Sequence, residues 1–600
     1  MLVVAGPGSG KTTVITRRIL NLIRQEQILP GNILVITFTK AAANEMRSRF
    51  LSLSGEPVTQ VTFGTFHAIF YKILRYSYRF QTEKIIGEGA LMKTIMEICR
   101  GHGMQFPYRD PVYLNIISAI SRIKNGLADP DTIVVEGCSK ETFVEILKAY
   151  QDYLNENRYL DFDDLQLYVK RLFESRSDVL SAWQDKYRYI LVDEFQDCAP
   201  IQYEIIRMLA EPDHNLFLVG DDDQSIYSFR GATPALMQQF LKDYPDVSQV
   251  TLGTNYRSHQ EIIARSCQLI SHNQDRILKK QAVAFQTFDP ANEPIVYRHF
   301  QDQRSELVFL RDQIRKFIKN GLSWNDLAIL TRTNAQLSVF YDYLDAAQIP
   351  CVYKEAVPIL YNHWVAEDLL CYLRAATGRG GKEVLIRIMN RPNRFLSRKR
   401  FPAEPFSFAA WKDNYSDQEW MQKRITKLAD DLSVIGRMRP FSALNYILKA
   451  VGYEEWMYEF AGERNLNRDA LADTIEEMKD RAKEYTGIDA WLDAVDESVK
   501  KAEEMQRKRW DVDADGIHLM TYHAAKGLEY TCVFLPDLCD GIVPYRRAVF
   551  ENETEEERRM LYVAMTRAKE KLFFMTADEI RNHKKEPSPF LEEIFDADDL

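Results

Sequence analysis

The sequence predicts an α/β protein built on two parallel sheets, each interrupted by a mainly helical stretch. Three observations carry this. The apolar run Leu2-Val3-Val4 enters Ala5-Gly6-Pro7-Gly8-Ser9-Gly10-Lys11-Thr12-Thr13, and an amphipathic run from Val14 to Ile23 follows, giving strand, glycine-rich loop and helix. The continuous apolar run Tyr189–Val192 ends in Asp193-Glu194, as a buried parallel strand with acidic residues at its C-terminal end would. Residues 1–76 and 159–252 alternate strand and helix patterns, and Ile295–His299, Leu327–Thr331, Ile517–Thr521, Cys532–Leu535 and Leu572–Met575 read as strands of a second sheet.

The first element is a phosphate loop. Its Gly10-Lys11-Thr12 end is intact, although Ala5 stands at the position where the motif usually has Gly. Glycines let backbone N–H groups turn inward around phosphate oxygens, so residues Ala5 to Thr13 are expected to cradle a nucleotide. Lys11 should reach the β and γ phosphates, and Thr12 should ligate Mg²⁺. The second element supplies what the first lacks. Asp193 would hold Mg²⁺ through water, and Glu194 would orient and deprotonate the attacking water. Between these two elements, Leu91–Cys99, Tyr113–Lys124 and Phe143–Leu154 each space apolar residues at helical intervals, which predicts an all-helical insertion. Residues 356–510 read as helical and charged.

Composition sets wider bounds. The chain has 600 residues, 46% apolar and 27% charged, which excludes a disordered, collagenous or coiled-coil chain. The net charge of −10 argues against a uniformly basic binder but not against a basic groove. Eight cysteines occur without a CxxC pair, so zinc, iron–sulfur and disulfide frameworks are not expected, and reduced thiols point to the cytoplasm. No apolar run approaches the roughly 18 residues of a membrane span.

Further motifs follow in order: TFTKAA at 37–42, GTFH at 64–67, DFDDL at 161–165, DEFQD at 193–197 and VGDDDQSIY at 219–227. NYRS at 255–258, TYHAAKGLE at 521–529 and YVAMTRA at 562–568 complete the set. This ordered series closely resembles the superfamily 1 DNA helicases of the UvrD/PcrA/Rep type. The resemblance implies two RecA-like P-loop motor domains, each with a helical insertion. It divides the chain into domain 1A (1–76 and 159–252), insertion 1B (77–158), domain 2A (253–355 and 511–600) and insertion 2B (356–510). It implies ATP and Mg²⁺ as cofactors, single-stranded DNA and single-strand/duplex junctions as partners, and movement from 3′ to 5′ with unwinding.

The resemblance also assigns residues. Gln224 resembles the γ-phosphate sensor, and Arg257 and Arg567 resemble arginine fingers projected across the cleft. Tyr256 resembles the residue that stacks on adenine, and Glu529 the one that contacts ribose or triphosphate. Phe38, Phe66, Tyr227 and Phe229 are candidates to stack on bases, and His67, Arg230, Arg332, Asn334 and His523 to contact the strand. Phe38 and Phe66 both have a competing reading as core residues at strand ends. Phe229 and Ser228 depart from the Trp and Arg that the family commonly has there. The family usually begins with a short helix carrying a Gln that reads adenine. Here only four residues precede Ala5, and the expectation is either a shortened start or a variant that discriminates bases poorly. The Arg- and Lys-rich stretches 379–382 and 391–400 read either as a backbone contact to duplex or as a solvated loop. Three functions remain in play: an unwinding helicase serving repair, recombination or replication restart, a translocase that strips bound proteins, and a non-catalytic DNA-binding scaffold.

Overall fold

The computed structural model describes residues 1–595 apart from 56–59, 79–84, 105–110, 212, 228–234, 275, 278–281, 287–292, 354–359, 404, 464–465, 467, 509–514, 546–550 and 582. Six strands, β1 (Leu2–Ala5), β2 (Ile33–Thr37), β3 (Thr62–Thr65), β4 (Tyr189–Val192), β5 (Leu216–Gly220) and β6 (Gln249–Leu252), form one parallel sheet. Its order is β3-β2-β4-β5-β1-β6. β1 is central: Val3 lies opposite Val219 on one side and Val250 on the other. All four of its residues are buried, which is why the sequence shows an unbroken apolar run.

A two-stranded ladder, β7 (Thr254–Asn255) with β8 (Val283–Ala284), lies outside this sheet. The second sheet contains β9 (Ile295–Phe300), β10 (Leu327–Thr331), β11 (Cys351–Tyr353), β12 (Ile517–Thr521), β13 (Tyr530–Leu535) and β14 (Ala568–Ala577). Its order is β11-β12-β10-β13-β14-β9, again parallel throughout. Two parallel α/β sheets agree with the fold class expected. Of the first sheet the sequence reading named β1 and β4 individually, and of the second all but β11. The edge strands β6 and β11 are short, and β6 is largely exposed, so neither shows the apolar run that marks a central strand.

The stretch between β3 and β4 includes helices Glu88–Gly101, Pro111–Lys124 and Lys140–Asn157. They close on their own core, which includes Ile95, Ile116, Phe143 and Tyr150. A buried ion-pair group ties this core to the sheet: Lys124 Nζ donates to Asp161 at 2.6 Å and to Asp164 at 2.8 Å. Asp161 also caps helix Phe162–Ser175 through a reciprocal bond with Asp164, which explains the run of acidic residues in this motif. The stretch between β11 and β12 includes a series of helices, from Trp364–Ala376 to Ile488–Lys508, around a separate core with Trp411 and Trp491 fully buried. Among the described residues no helix is long and apolar enough to cross a membrane. All eight cysteines are free thiols.

Candidate nucleotide and DNA site

The carboxyl ends of parallel strands are where an α/β sheet offers its crevice. The first sheet delivers its motif residues there, whereas Glu529 and Arg567 immediately precede β13 and β14 of the second sheet, at the amino ends of those strands. Ala5 ends β1, and residues 6–10 form the loop into helix Lys11–Arg24. Gly8 (φ +66°) and Gly10 (φ +85°) occupy left-handed backbone, as a loop that turns its amides inward requires. Ser9 secures the turn, its Oγ donating to the Gly6 carbonyl at 2.7 Å. Thr12 and Thr13 lie in the first helical turn, where their carbonyls accept the Thr16 hydroxyl at 2.9 and 3.0 Å. Pro7 accepts from the Asn255 amide at 2.9 Å, and the Gly8 carbonyl accepts from the Tyr256 N–H at 2.9 Å. The phosphate loop is thus bonded directly to the chain that leads into the second sheet.

Lys11, Asp193 and Glu194 form a charge cluster in which Asp193 is buried and Lys11 and Glu194 are partly so. Lys11 Nζ lies 3.1 Å from Glu194 Oε1 and 3.3 Å from Oε2. Burial pulls the ammonium down, but Glu194, Asp221 and Asp193 together outweigh it and hold the group above its ordinary range. Burial, reinforced by the charge of Glu194, pushes Asp193 up to about 7. For Glu194, burial opposes ionisation, but Lys11 and Lys526 outweigh it and hold the carboxyl down at about 2. Two adjacent carboxylates are therefore driven apart by their surroundings. Glu194 sits at φ +52°, a strained position for a non-glycine residue, and Gln196 Nε2 donates to its Oε2. Gln196 reaches on to β5, where its Oε1 accepts from the Asp221 N–H at 2.8 Å.

The second sheet closes the cluster. Arg567 is 2% exposed, and its Nη2 lies 3.4 Å from Gln224 Oε1. The carbonyls of Val563 and Leu528 fix its Nε and Nη1. Burial, with Arg257 nearby, lowers it to about 9. Arg257 Nε donates to Glu529 Oε2 at 2.7 Å, so these two candidates meet each other. Lys526 was not singled out from sequence. Its Nζ donates to Asp197 Oδ2 and to the Gln224 carbonyl, each at 2.6 Å, and it lies 5.0 Å from the centre of the Tyr227 ring. It thus touches the acidic strand end, the candidate sensor and a candidate base-stacking residue at once. The signal was its place in TYHAAKGLE, but spacing alone does not show what a lysine reaches.

The DNA candidates divide. Phe38 and Tyr227 are brought together as a parallel stack, centroids 5.4 Å apart and 15° between planes, with His523 6.3 Å from Tyr227. His67 meets Phe162 edge-on at 5.6 Å, and Phe162 is 48% exposed. The exposure of Phe162 at the N-terminus of its helix marks it as a further candidate, which its place in DFDDL alone does not show. Two expectations are corrected. Phe66 is 3% exposed and packs with Ile69 and Phe70 in the core of the first sheet, so it has no face for a base. Arg332 is held by Glu557, with Nε and Nη2 at 2.9 and 2.6 Å from its carboxylate oxygens, and serves as an internal brace. Asn334 heads helix Asn334–Ala346, with its Oδ1 buried and lacking a partner. Ser228, Phe229 and Arg230 lie outside the described residues.

The basic stretches of the larger helical unit are mostly engaged within it. Arg379 pairs with Asp489 and Asp493, Arg391 with the fully buried Asp368, and Arg400 with Asp417. Arg394 donates to the carbonyls of Ile388 and Pro392. Arg391 and Arg394 are thus held inside the unit, while Arg379 and Arg400 pair on its surface.

Comparison with known proteins agrees across almost the whole chain. The UvrD/REP helicase N-terminal domain matches residues 1–245, and the UvrD-like helicase C-terminal domain matches residues 250–403 and 413–579. The Bacillus subtilis protein YjcD is 32% identical over 612 residues, 98% of this chain and 78% of that one. The ATP-dependent DNA helicase PcrA of Staphylococcus epidermidis is 31% identical over 635 residues, 99% of this chain and 84% of the relative. PcrA of Leuconostoc citreum is 32% identical over 631 residues, 99% of this chain and 82% of the relative.

Proposed function

The chain belongs to the UvrD/REP helicase family, and from that membership we propose that it moves 3′ to 5′ along single-stranded DNA and separates duplex at junctions, in repair, recombination or replication restart. It is an ATP-dependent DNA helicase of the PcrA/UvrD type, with a DNA-dependent ATPase as its motor. One observation supports the proposed mechanism most. Residues from both sheets meet around one charge cluster, with Arg567 of the second sheet 3.4 Å from Gln224 of the first. Hydrolysis then depends on closure of the cleft, which couples chemistry to movement.

Thr12 and Asp193 are the oxygen donors of the kind Mg²⁺ takes, a hydroxyl and a carboxylate that burial leaves poorly compensated. The ion would neutralise charge on the β and γ phosphates. Lys11 binds the same oxygens. In doing so it leaves Glu194, lifting the charge that holds that carboxylate down and letting burial raise its basicity toward water. Arg257 and Arg567 stabilise the charge that spreads over the γ oxygens, an effect worth about 10³–10⁵ in turnover for such fingers. Phe38 and Tyr227 supply the sequence-tolerant grip that a translocating motor needs.

The test is ATP turnover with and without single-stranded DNA, followed by unwinding of duplexes carrying a 3′ or a 5′ tail. Stimulation by DNA and unwinding of the 3′-tailed substrate alone are expected. No stimulation refutes the motor reading, and unwinding from 5′ tails refutes the polarity.

A further inference from the structure

We propose that Phe285 binds the nucleotide base, forming with Tyr256 an aromatic corner for a purine beside the phosphate loop. This rests on the nucleotide-site reading above. The residues come together through the β7–β8 ladder, which belongs to neither main sheet. Phe285 N–H donates to the Asn255 carbonyl at 2.8 Å, and Gln286 Nε2 donates to the Tyr256 carbonyl at 3.0 Å. Ala284 N–H is held by Gln260 Oε1 at 2.7 Å. Asn255 and Tyr256 are themselves bonded to Pro7 and Gly8. One layer of backbone therefore separates Phe285 from the phosphate cradle.

The rings lie 4.8 Å apart and tilted by 43°, in contact but not covering each other. Tyr256 is 50% exposed and Phe285 66%, so each keeps at least half its surface for a ligand. Phenylalanine has no polar handle to favour that exposure, and leaving its ring in water forfeits burial that most Phe side chains obtain. A triphosphate held by residues 6–12 carries its base outside the loop, and a flat π surface is what an aromatic corner fits. Stacking reads area rather than hydrogen-bonding pattern. The corner therefore selects purine over pyrimidine and distinguishes adenine from guanine weakly.

The experiment is steady-state hydrolysis of ATP and UTP by the full chain and by Phe285→Ala and Phe285→Trp, with inorganic tripolyphosphate as a competitor that lacks a base. Phe285 is exposed, so both variants are expected to fold. In Phe285→Ala the KM for ATP should rise about tenfold, as loss of one stacking surface implies, with turnover at saturation changed less than twofold. Phe285→Trp should restore the KM, the preference for ATP over UTP should shrink in the Ala variant, and inhibition by tripolyphosphate should not change. An unchanged KM, or equal weakening of tripolyphosphate, overturns the base contact. Absence of ATP turnover in the parent overturns the nucleotide-site reading itself and the proposal with it.

Discussion

Replacing Lys526 by Met tests whether the strut across the cleft couples the two sheets. Lys526 is 7% exposed at its side chain and Asp197 1%. Burial holds Asp197 up at about 6 even with Lys526 beside it, against an ordinary 3.8. Its ionised form is thus already disfavoured by ~3 kcal/mol. Breaking a buried pair commonly costs about 3–5 kcal/mol, but a proton on Asp197 limits the loss here. The Asp197 share can grow by at most ~1.4 kcal/mol for each pH unit above about 6. The Gln224 carbonyl loses its donor too, which adds ~1–3 kcal/mol if it stays buried.

The sign follows from the raised pKa. Below about pH 6 the carboxyl is protonated in parent and variant alike, and their difference from Asp197 vanishes. Above pH 6 only the parent holds the charge cheaply, so the gap opens as pH rises. Thermal melting of parent, Lys526→Met, Asp197→Asn and the double variant at pH 5.5 and 7.5 reads this directly. DNA-stimulated turnover should fall at least about tenfold in Lys526→Met at pH 7.5, with DNA-independent turnover less affected, and the double variant should recover part of the stability. A gap that does not change with pH, together with a double variant no more stable than Lys526→Met, would refute the reasoning.

Gly8→Ala should impair ATP binding, because a Cβ there would stand 2.7 Å from both Arg257 Cβ and Asn255 Oδ1, at φ +66°; a KM for ATP within twofold of the parent contradicts this. Phe38→Ala should weaken single-stranded DNA binding by ~1–3 kcal/mol, whereas Phe66→Ala should leave the DNA affinity of folded protein intact and lower stability by ~3–5 kcal/mol. Fluorescence anisotropy and denaturant titration separate the two. Arg332→Ala should lower the melting temperature without reducing the salt dependence of DNA binding, because Glu557 is left buried and unpaired; a slope smaller by about one would restore Arg332 as a phosphate contact.

Local patterns identified most of the fold. β1 and β4 are fully or nearly fully buried, so each appears as an uninterrupted apolar run, and the loops that follow carry residue types with few other uses. The placement of Lys11, Thr12, Asp193 and Glu194 at the ends of β1 and β4 was legible because each follows its strand within a few residues. Edge strands β6 and β11 were not legible, because half-exposed strands need no apolar run.

Partnership across long separations was decided only by the tertiary structure. In sequence, Phe38 and Phe66 are alike: each follows a short strand. Packing buries Phe66 against Ile69 and Phe70, while Phe38 stacks on Tyr227, 189 residues away. Arg332 reads as a free cation until Glu557 is folded against it, and Lys526 reads as one motif residue until Asp197 lies 2.6 Å from it. The corner at Phe285 depends on a two-residue ladder too short to leave a pattern. Hydrophobic periodicity is local and therefore written in the sequence. Which charge meets which, and which ring keeps an open face, depends on how the two sheets close on each other.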